Sequence, residues 1–588
     1  MKSRAYIGTV FLITALTSPS RAQSPSIKPS VATTQNTALR WNSGVILPPI
    51  SAKQIDHLAV LGKVWGFVKY YHPAVGAGKY DLDTELFRLL PQVAAATSVA
   101  ERSQLLSTWL LGLGDVPACA KCAELPNLPV KQQVDLSWIT HLQQLSPELS
   151  PELSKQLIQL RDNRHQGPGY YVTAGSAGNA VFTHEQAYAT PTTPDVGLRL
   201  LALFRYWNMV QYFYPDRHLI GEDWNEILPA FIPRFVAANT GEAYRLAILE
   251  LTARIHDTHA TLSDKTAGLT HLWGDYLTPG LVSFISGKPV YAKATITTLA
   301  AQCPLQKGDI ITRVDGVPVA DLIKRQRPLI SASNEAALLA AIGQNLLRGN
   351  TPVGKIEVLR AGRPQRLLVP RYQQADLSKA PLDPALTPKD SSYQVLSNNI
   401  GYVHLGKLTA KQVPVAMQAL KDTQGIILDL RTYPDFAVFR LLPTHFVTQP
   451  TAFAKFTMPD LTYPGRMIET KPLEISPTIM PYMGKVVVMV NEVTLSLAEY
   501  MAMALQANPR ATIMGSTTAG ADGNVTKITL PGDLITRFSG LSVLYPDGRE
   551  TQRVGIVPQV NVQPTVEGVR AKHDEVLERA IQTINAAK

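Results

Sequence analysis

The chain has 588 residues, 45% apolar and 17% charged, with 38 glycines and 43 prolines. This is too long for one hydrophobic core and ordinary enough in composition to exclude a disordered or fibrous protein. The net charge of +10 comes from scattered basic residues with no long run. It supports weak attraction to acidic ligands and argues against a nucleic-acid interface.

The chain opens "MKSRAYIGTVFLITALTSPSRAQS". Lys2 and Arg4 precede an apolar stretch, Ala5 to Leu16, that is too short to span a bilayer. Ser20-Arg21-Ala22 has the small-x-small form of a cleavage site. The pattern predicts a signal peptide over 1–22, followed by a polar, Pro-rich leader over 23–50. No later stretch is apolar for long enough to cross a membrane. The expectation is an exported protein, periplasmic or secreted, with no stable membrane insertion after cleavage.

A helical pattern begins near Ser51 and contains a repeat. "WGFVKYYHP" starts at Trp65 and "WNMVQYFYP" at Trp207. One unbroken register also pairs Leu61 with Leu203, Asp81 with Asp223, Pro91 with Pro233 and Asp115 with Asp257. Two similar helical units follow, with proposed limits 51–192 (unit one plus a turn-rich linker) and 193–275 (unit two). The copies diverge at "RIHDTHATL" against "LGDVPACAK". His259 aligns with Pro117, and Thr258 with Val116. A purely structural repeat has no need of that polar pair, so His259 becomes a candidate functional residue beside the plainer reading of a satisfied core histidine. Cys119 and Cys122 form a C-x-x-C and Cys303 stands alone. In an oxidising compartment the pair is a disulfide candidate, with a redox motif as the alternative. No histidines accompany it, so no metal site is predicted.

Residues 276–372 contain "PLQKGDIITRVDGVPV". Tight turns at Gly308-Asp309 and Asp315-Gly316 bracket the strand Ile310–Val314. This pattern resembles a PDZ domain. The resemblance places Gly280, Leu281 and Val282 of "PGLVSF" at a carboxylate-binding loop, where a peptide adds a strand to the sheet edge. Over 393–588, the strand-length runs "IGYVHL", "GIILDLR", "KVVVMVN" and "ATIMGS" alternate with helical segments. They predict a mostly parallel α/β sheet with its active site at the strands' C-terminal ends. The expected fold class is therefore multidomain α/β: helical repeat units, a PDZ-like β domain and a C-terminal α/β protease core.

Ser496 sits between "KVVVMVN" and the helix "LAEYMAMAL". A nucleophile there has helix N-terminal N–H groups beside it to stabilise an oxyanion. Ser496 and Glu499 also spell a capping box, S-x-x-E, which is the structural alternative.

The wider context gives this stretch its meaning. "VNEVTLSLAEYMAMAL", "MGSTTAGADG", "LYPDGRETQRVGIVPQVNV", "HDEVLERAI" and the earlier "ILDLRTYPD" together resemble the tail-specific (C-terminal-processing) protease family over 195–588. The family's motifs are S-x-x-E, G-x-x-T-x-G, G-[IV]-x-P-D and D-L-R-x-x-x-G-G. The bacterial processing members carry a lysine base directly after the glycine of G-x-x-T-x-G. Here Ala521 follows Gly520, and Lys527 lies further on. The tricorn-like branch instead places a serine-histidine pair ahead of the PDZ domain. "DTHA" is similar, with Thr258 for the serine and His259 as base, and a neutral imidazole is a competent base near neutral pH. That branch has a glutamate where this chain has Gln552. Glu550 lies on the same face of an extended strand and is the alternative acidic partner. Gln559 replaces the usual aspartate of the last motif. The resemblance implies an oxyanion hole from the backbone N–H groups of Leu497 and Asp435, and a peptide or unfolded protein as substrate. It implies no cofactor. The alternative is a non-catalytic ligand- or peptide-binding protein on the same fold, as retinoid-binding relatives of the family indicate. The sequence leaves oligomeric state open.

Overall fold

The structure is a computed structural model. It describes residues 42–586 except 48, 123–128, 141–148, 168, 190–192, 265–267, 295–298, 300–301 and 381–391. The predicted signal peptide and nearly all of the leader lie outside the described residues. No helix among the described residues is long and apolar enough to cross a membrane.

The repeat is visible in the hydrogen bonding. In the first copy, Trp65 Nε1 donates to the Leu82 carbonyl at 2.7 Å. In the second, Trp207 Nε1 donates to the Trp224 carbonyl at 2.7 Å. The helices Ala52–Tyr71 and Val196–Phe213 pack against each other. Asn208 Nδ2 reaches the Gly62 carbonyl at 3.0 Å, and a Cβ on Gly66 would fall 1.9 Å from the Asn208 side chain. Only glycine allows that approach. Their buried face shares one apolar cluster with Ile528, Leu530, Leu534 and Phe538 of the hairpin Val525–Leu530 and Leu534–Ser539. A buried ion network ties the helices to the linker. Glu185 takes Lys69 at 2.6 Å and Arg205 at 2.8 Å, and Arg205 also pairs with Asp83. The structure also joins Cys119 to Cys122.

Residues 280–370 form an antiparallel sheet ordered Arg363–Pro370, Val353–Arg360, Ile310–Val314, Lys288–Ala294 and Gly280–Ile285, so the last strand is an edge. The helix Glu335–Asn345 lies directly on that edge. A Cβ on Gly343 would sit 2.2 Å from the Val282 carbonyl oxygen.

A second sheet runs Tyr393–Leu396, Ile400–His404, Gly425–Asp429, Lys485–Val490, Ala511–Gly515 and Val560–Asn561. Only its first pair is antiparallel. The central strands are apolar on both faces and buried on both, as strands sandwiched between helices must be.

Candidate active site

Two adjacent parallel strands, Gly425–Asp429 and Lys485–Val490, end side by side. Thr494 Oγ1 donates to the Leu430 carbonyl at 3.1 Å, tying their exits together. The first exit leads to Asp435, which caps the helix Phe436–Leu441 by accepting from Ala437 N at 2.6 Å. The second leads to Ser496 and the helix Leu497–Gln506. The N–H groups of Asp435 and Leu497 thus belong to neighbouring strand exits.

Ser496 has φ 58° and ψ −125°, a conformation rare for a residue with a side chain and costing on the order of 1–3 kcal/mol. Its backbone is pinned. Ser496 N donates to the Ala521 carbonyl at 3.0 Å and to Glu499 Oε2 at 3.2 Å. Glu499, fully buried, also accepts from Gly520 N at 2.8 Å, Ala521 N at 3.1 Å and Thr518 Oγ1. Burial pushes its carboxyl up, and these donors pull it back. Glu499 therefore does more than cap a helix: it clamps the 518–521 segment against the Ser496 turn. Asp522 is also fully buried, and burial followed by the nearby Glu499 holds it well above the usual carboxylate range.

His259 follows Thr258, whose Oγ1 donates to the Ala519 carbonyl of this segment. Its Nδ1 is 2.8 Å from Ser539 Oγ, and Ser539 Oγ donates to Asp257 Oδ1 at 3.0 Å. Asp257 is anchored by Ser539 N at 2.6 Å and His259 N at 3.0 Å. Burial lowers the His259 pKa, Asp257 opposes that, and Arg537 adds to it. Asp257 and Ser539 went unnoticed in the sequence. Asp257 stands in "DTHA" but aligns with Asp115 of the other repeat, which disguised it as structural. Ser539 lies far along the chain in a hairpin without a motif.

The remaining candidates find other partners. Thr258 turns toward the 280–370 unit. Thr258 N donates to Ser333 Oγ at 2.9 Å, Ser333 N donates to Thr258 Oγ1 at 2.9 Å, and Thr258 Oγ1 donates to the Ala519 carbonyl at 3.1 Å. Glu550 faces Lys131 at 3.4 Å and His218 at 3.2 Å. Gln552 Nε2 reaches Tyr214 Oη at 3.4 Å. Neither hydrogen-bonds Thr258, so the expected Thr258–Glu550 or Thr258–Gln552 link is not made. Lys455 and Glu469 pair elsewhere on the core, and Lys527 is exposed on the hairpin strand opposite Arg537. Gly280, Leu281 and Val282 begin the edge strand. No group of His, Cys, Asp and Glu among the described residues is arranged to hold a metal.

The model of peptidase family S41 matches residues 452–562, a span that contains Ser496, Glu499 and Gly520. A carboxyl-terminal-processing protease of Synechocystis sp. (strain ATCC 27184 / PCC 6803 / Kazusa) is 25% identical over 386 residues, 62% of this chain and 81% of the relative. Two solved structures share the fold. Mature CPAF complexed with lactacystin matches at TM-score 0.52 and 14% identity, over 66% of this chain and 99% of that one. Mature CPAF matches at 0.50 and 14%, over 66% and 98%. These matches indicate a serine-type peptidase that resembles the tail-specific, carboxyl-terminal-processing proteases.

Proposed function

We propose that this peptidase is exported and cleaves peptides or unstructured protein segments through an acyl-enzyme on Ser496, with His259 as general base. One observation carries the reading. The Ser496 backbone hangs on the Ala521 carbonyl, and Thr258, next to His259, hangs on the Ala519 carbonyl. Ser496 and His259 lie far apart in sequence, yet one short segment bonds the Ser496 backbone and the residue next to His259, which supports the pairing.

The chemistry follows from the hydrogen bonds. Ser539 Oγ donates its proton to Asp257, so it accepts from His259 Nδ1–H. That tautomer leaves the Nε2 lone pair for the Ser496 hydroxyl. Ser496 Oγ attacks the scissile carbonyl while His259 takes its proton. The oxyanion is received by the N–H groups of Leu497 and Asp435. Collapse expels the amine, which takes the proton from His259. Water, deprotonated by the same imidazole, then releases the acyl group as a carboxylate. Asp257 acts on His259 through Ser539, fixing its tautomer and stabilising the imidazolium. The 276–372 unit, which resembles a PDZ domain in sequence, presents or gates the peptide.

Ser496→Ala should abolish cleavage of a fluorogenic peptide and of an unfolded protein, and should also abolish labelling by a serine-directed covalent probe, with an unchanged circular dichroism spectrum. His259→Ala should lower the rate by about 10²–10⁴-fold. Full activity in His259→Ala would move the base elsewhere.

A further inference from the structure

A cavity of about 660 Å³ opens where the helices Trp224–Ala237 and Gly241–Ala253 meet residues 327–335 and Arg553. Arg234, Arg254, Arg327 and Arg553 line it against Glu250 and Glu335, and the chemistry above uses none of them. Arg327 grips Glu335 with two bonds of 2.7 Å, Arg234 pairs with Glu250, and Arg254 holds both oxygens of Glu222 at 3.2 and 3.0 Å. Arg553 differs. Its guanidinium donates to the carbonyls of Leu219 and Ile220 and pairs with no carboxylate among the described residues. Cations thus outnumber anions on the lining, and planar guanidinium forks match the two oxygens of a carboxylate.

The backbone marks the same place. His256 and Arg553, both on the lining, have φ values of 50° and 66°, a region disfavoured for side-chain-bearing residues and enriched at functional sites. The cavity wall also touches the catalytic segment. Arg553 N donates to the Gly520 carbonyl at 2.8 Å, and Gly520 N in turn donates to Glu499, which holds Ser496 N. Asn334 Nδ2 donates to the Thr518 carbonyl at 2.8 Å, and Ser333, beside it on the wall, holds Thr258.

We infer that this cavity is a carboxylate-binding site, separate from Ser496, that takes either the free C-terminal carboxylate of the polypeptide being cleaved or a small free carboxylate. The inference builds on the peptidase reading above. Arg553, the lining cation without a carboxylate partner among the described residues, receives the carboxylate, and Arg254 joins it by exchanging Glu222 for the ligand. Occupancy is transmitted to the 518–521 segment through the Arg553 backbone and Asn334.

The test is calorimetric binding to the Ser496→Ala protein, which needs no turnover. An inactive wild-type enzyme would therefore overturn the proposed function and leave this measurement intact. Two peptides of one sequence are compared, one ending in a free carboxylate and one in an amide, with citrate as a separate probe. The free-acid peptide should bind at least tenfold tighter than the amide, or citrate should bind and displace it. The first result without citrate binding identifies the chain end, and citrate binding identifies a free-anion site. In Arg553→Gln/Arg254→Gln, and in Arg254→Gln alone should the double variant melt early, the preference and the citrate heat should fall at least tenfold. Equal affinity for acid and amide together with silent citrate would overturn the site. So would a preference undiminished in these variants, which would belong to the 276–372 unit.

Discussion

In the proposed mechanism three residues define how the base works, and only one of them stands out in the sequence. His259 was legible because its repeat partner is a proline and because Ala521 occupies the place of a lysine. Ser539 and Asp257 were not, since a hydrogen-bond relay assembled from a loop and a distant hairpin strand has no fixed spacing. Their roles separate by pH. Burial holds the His259 pKa below 6.5 while the Asp257 charge raises it, so activity should fall on the acid side as the imidazole gains its proton. Asp257→Asn removes the raising charge. Its acid limb should therefore move to lower pH, while kcat drops by about 10²–10⁴-fold through loss of the tautomer lock. Ser539→Ala keeps the charge and breaks the relay, so kcat should fall with a smaller displacement of the limb. Rate–pH profiles of the two variants check this, and a purely structural role would leave both limbs in place. Stability follows the same sign. The unfolded chain protonates this histidine near 6.5 and the folded chain only lower, so His259 costs stability as pH falls through that window.

At the scale of elements, strand runs and helix periodicity were readable because burial on both faces writes continuous apolar stretches such as "KVVVMV" and "GIILD". The mutual fit of helix and strand was not readable, because it depends on close approach rather than pattern. The helix Glu335–Asn345 is the example. Its Gly343 faces the Val282 carbonyl so closely that the edge strand has no space at that point for an added strand, and a bound peptide would have to displace the helix. Glycine in a helix interior is normally a weakness, and replacement by alanine usually stabilises by about 0.5–1 kcal/mol. Here the sign should reverse. Gly343→Ala should lower stability by about 1–3 kcal/mol, measured as a shifted urea midpoint at constant slope.

Over the whole molecule, the two repeats behave as one body with the hairpin that carries Ser539. The repeat register was plain in the sequence, but the clasp between the copies was not, because it runs through Glu185 in the irregular linker. Glu185 neutralises Lys69 of one repeat helix and Arg205 of the other, all three buried. Glu185→Ala leaves Lys69 without a carboxylate in the interior and Arg205 with Asp83 alone, and should cost about 3–5 kcal/mol, read from denaturant unfolding, whereas an exposed pair such as Arg549–Asp547 should cost under about 1 kcal/mol. The shared core also sets a timetable. Phe538 and Leu534 complete the apolar cluster of the repeats, yet they are synthesised after almost everything they pack against. His259 therefore waits, without Ser539 to orient it, until the hairpin some 280 residues later has emerged. If His259 is the base, as proposed, the nascent chain has no oriented base until this hairpin has formed.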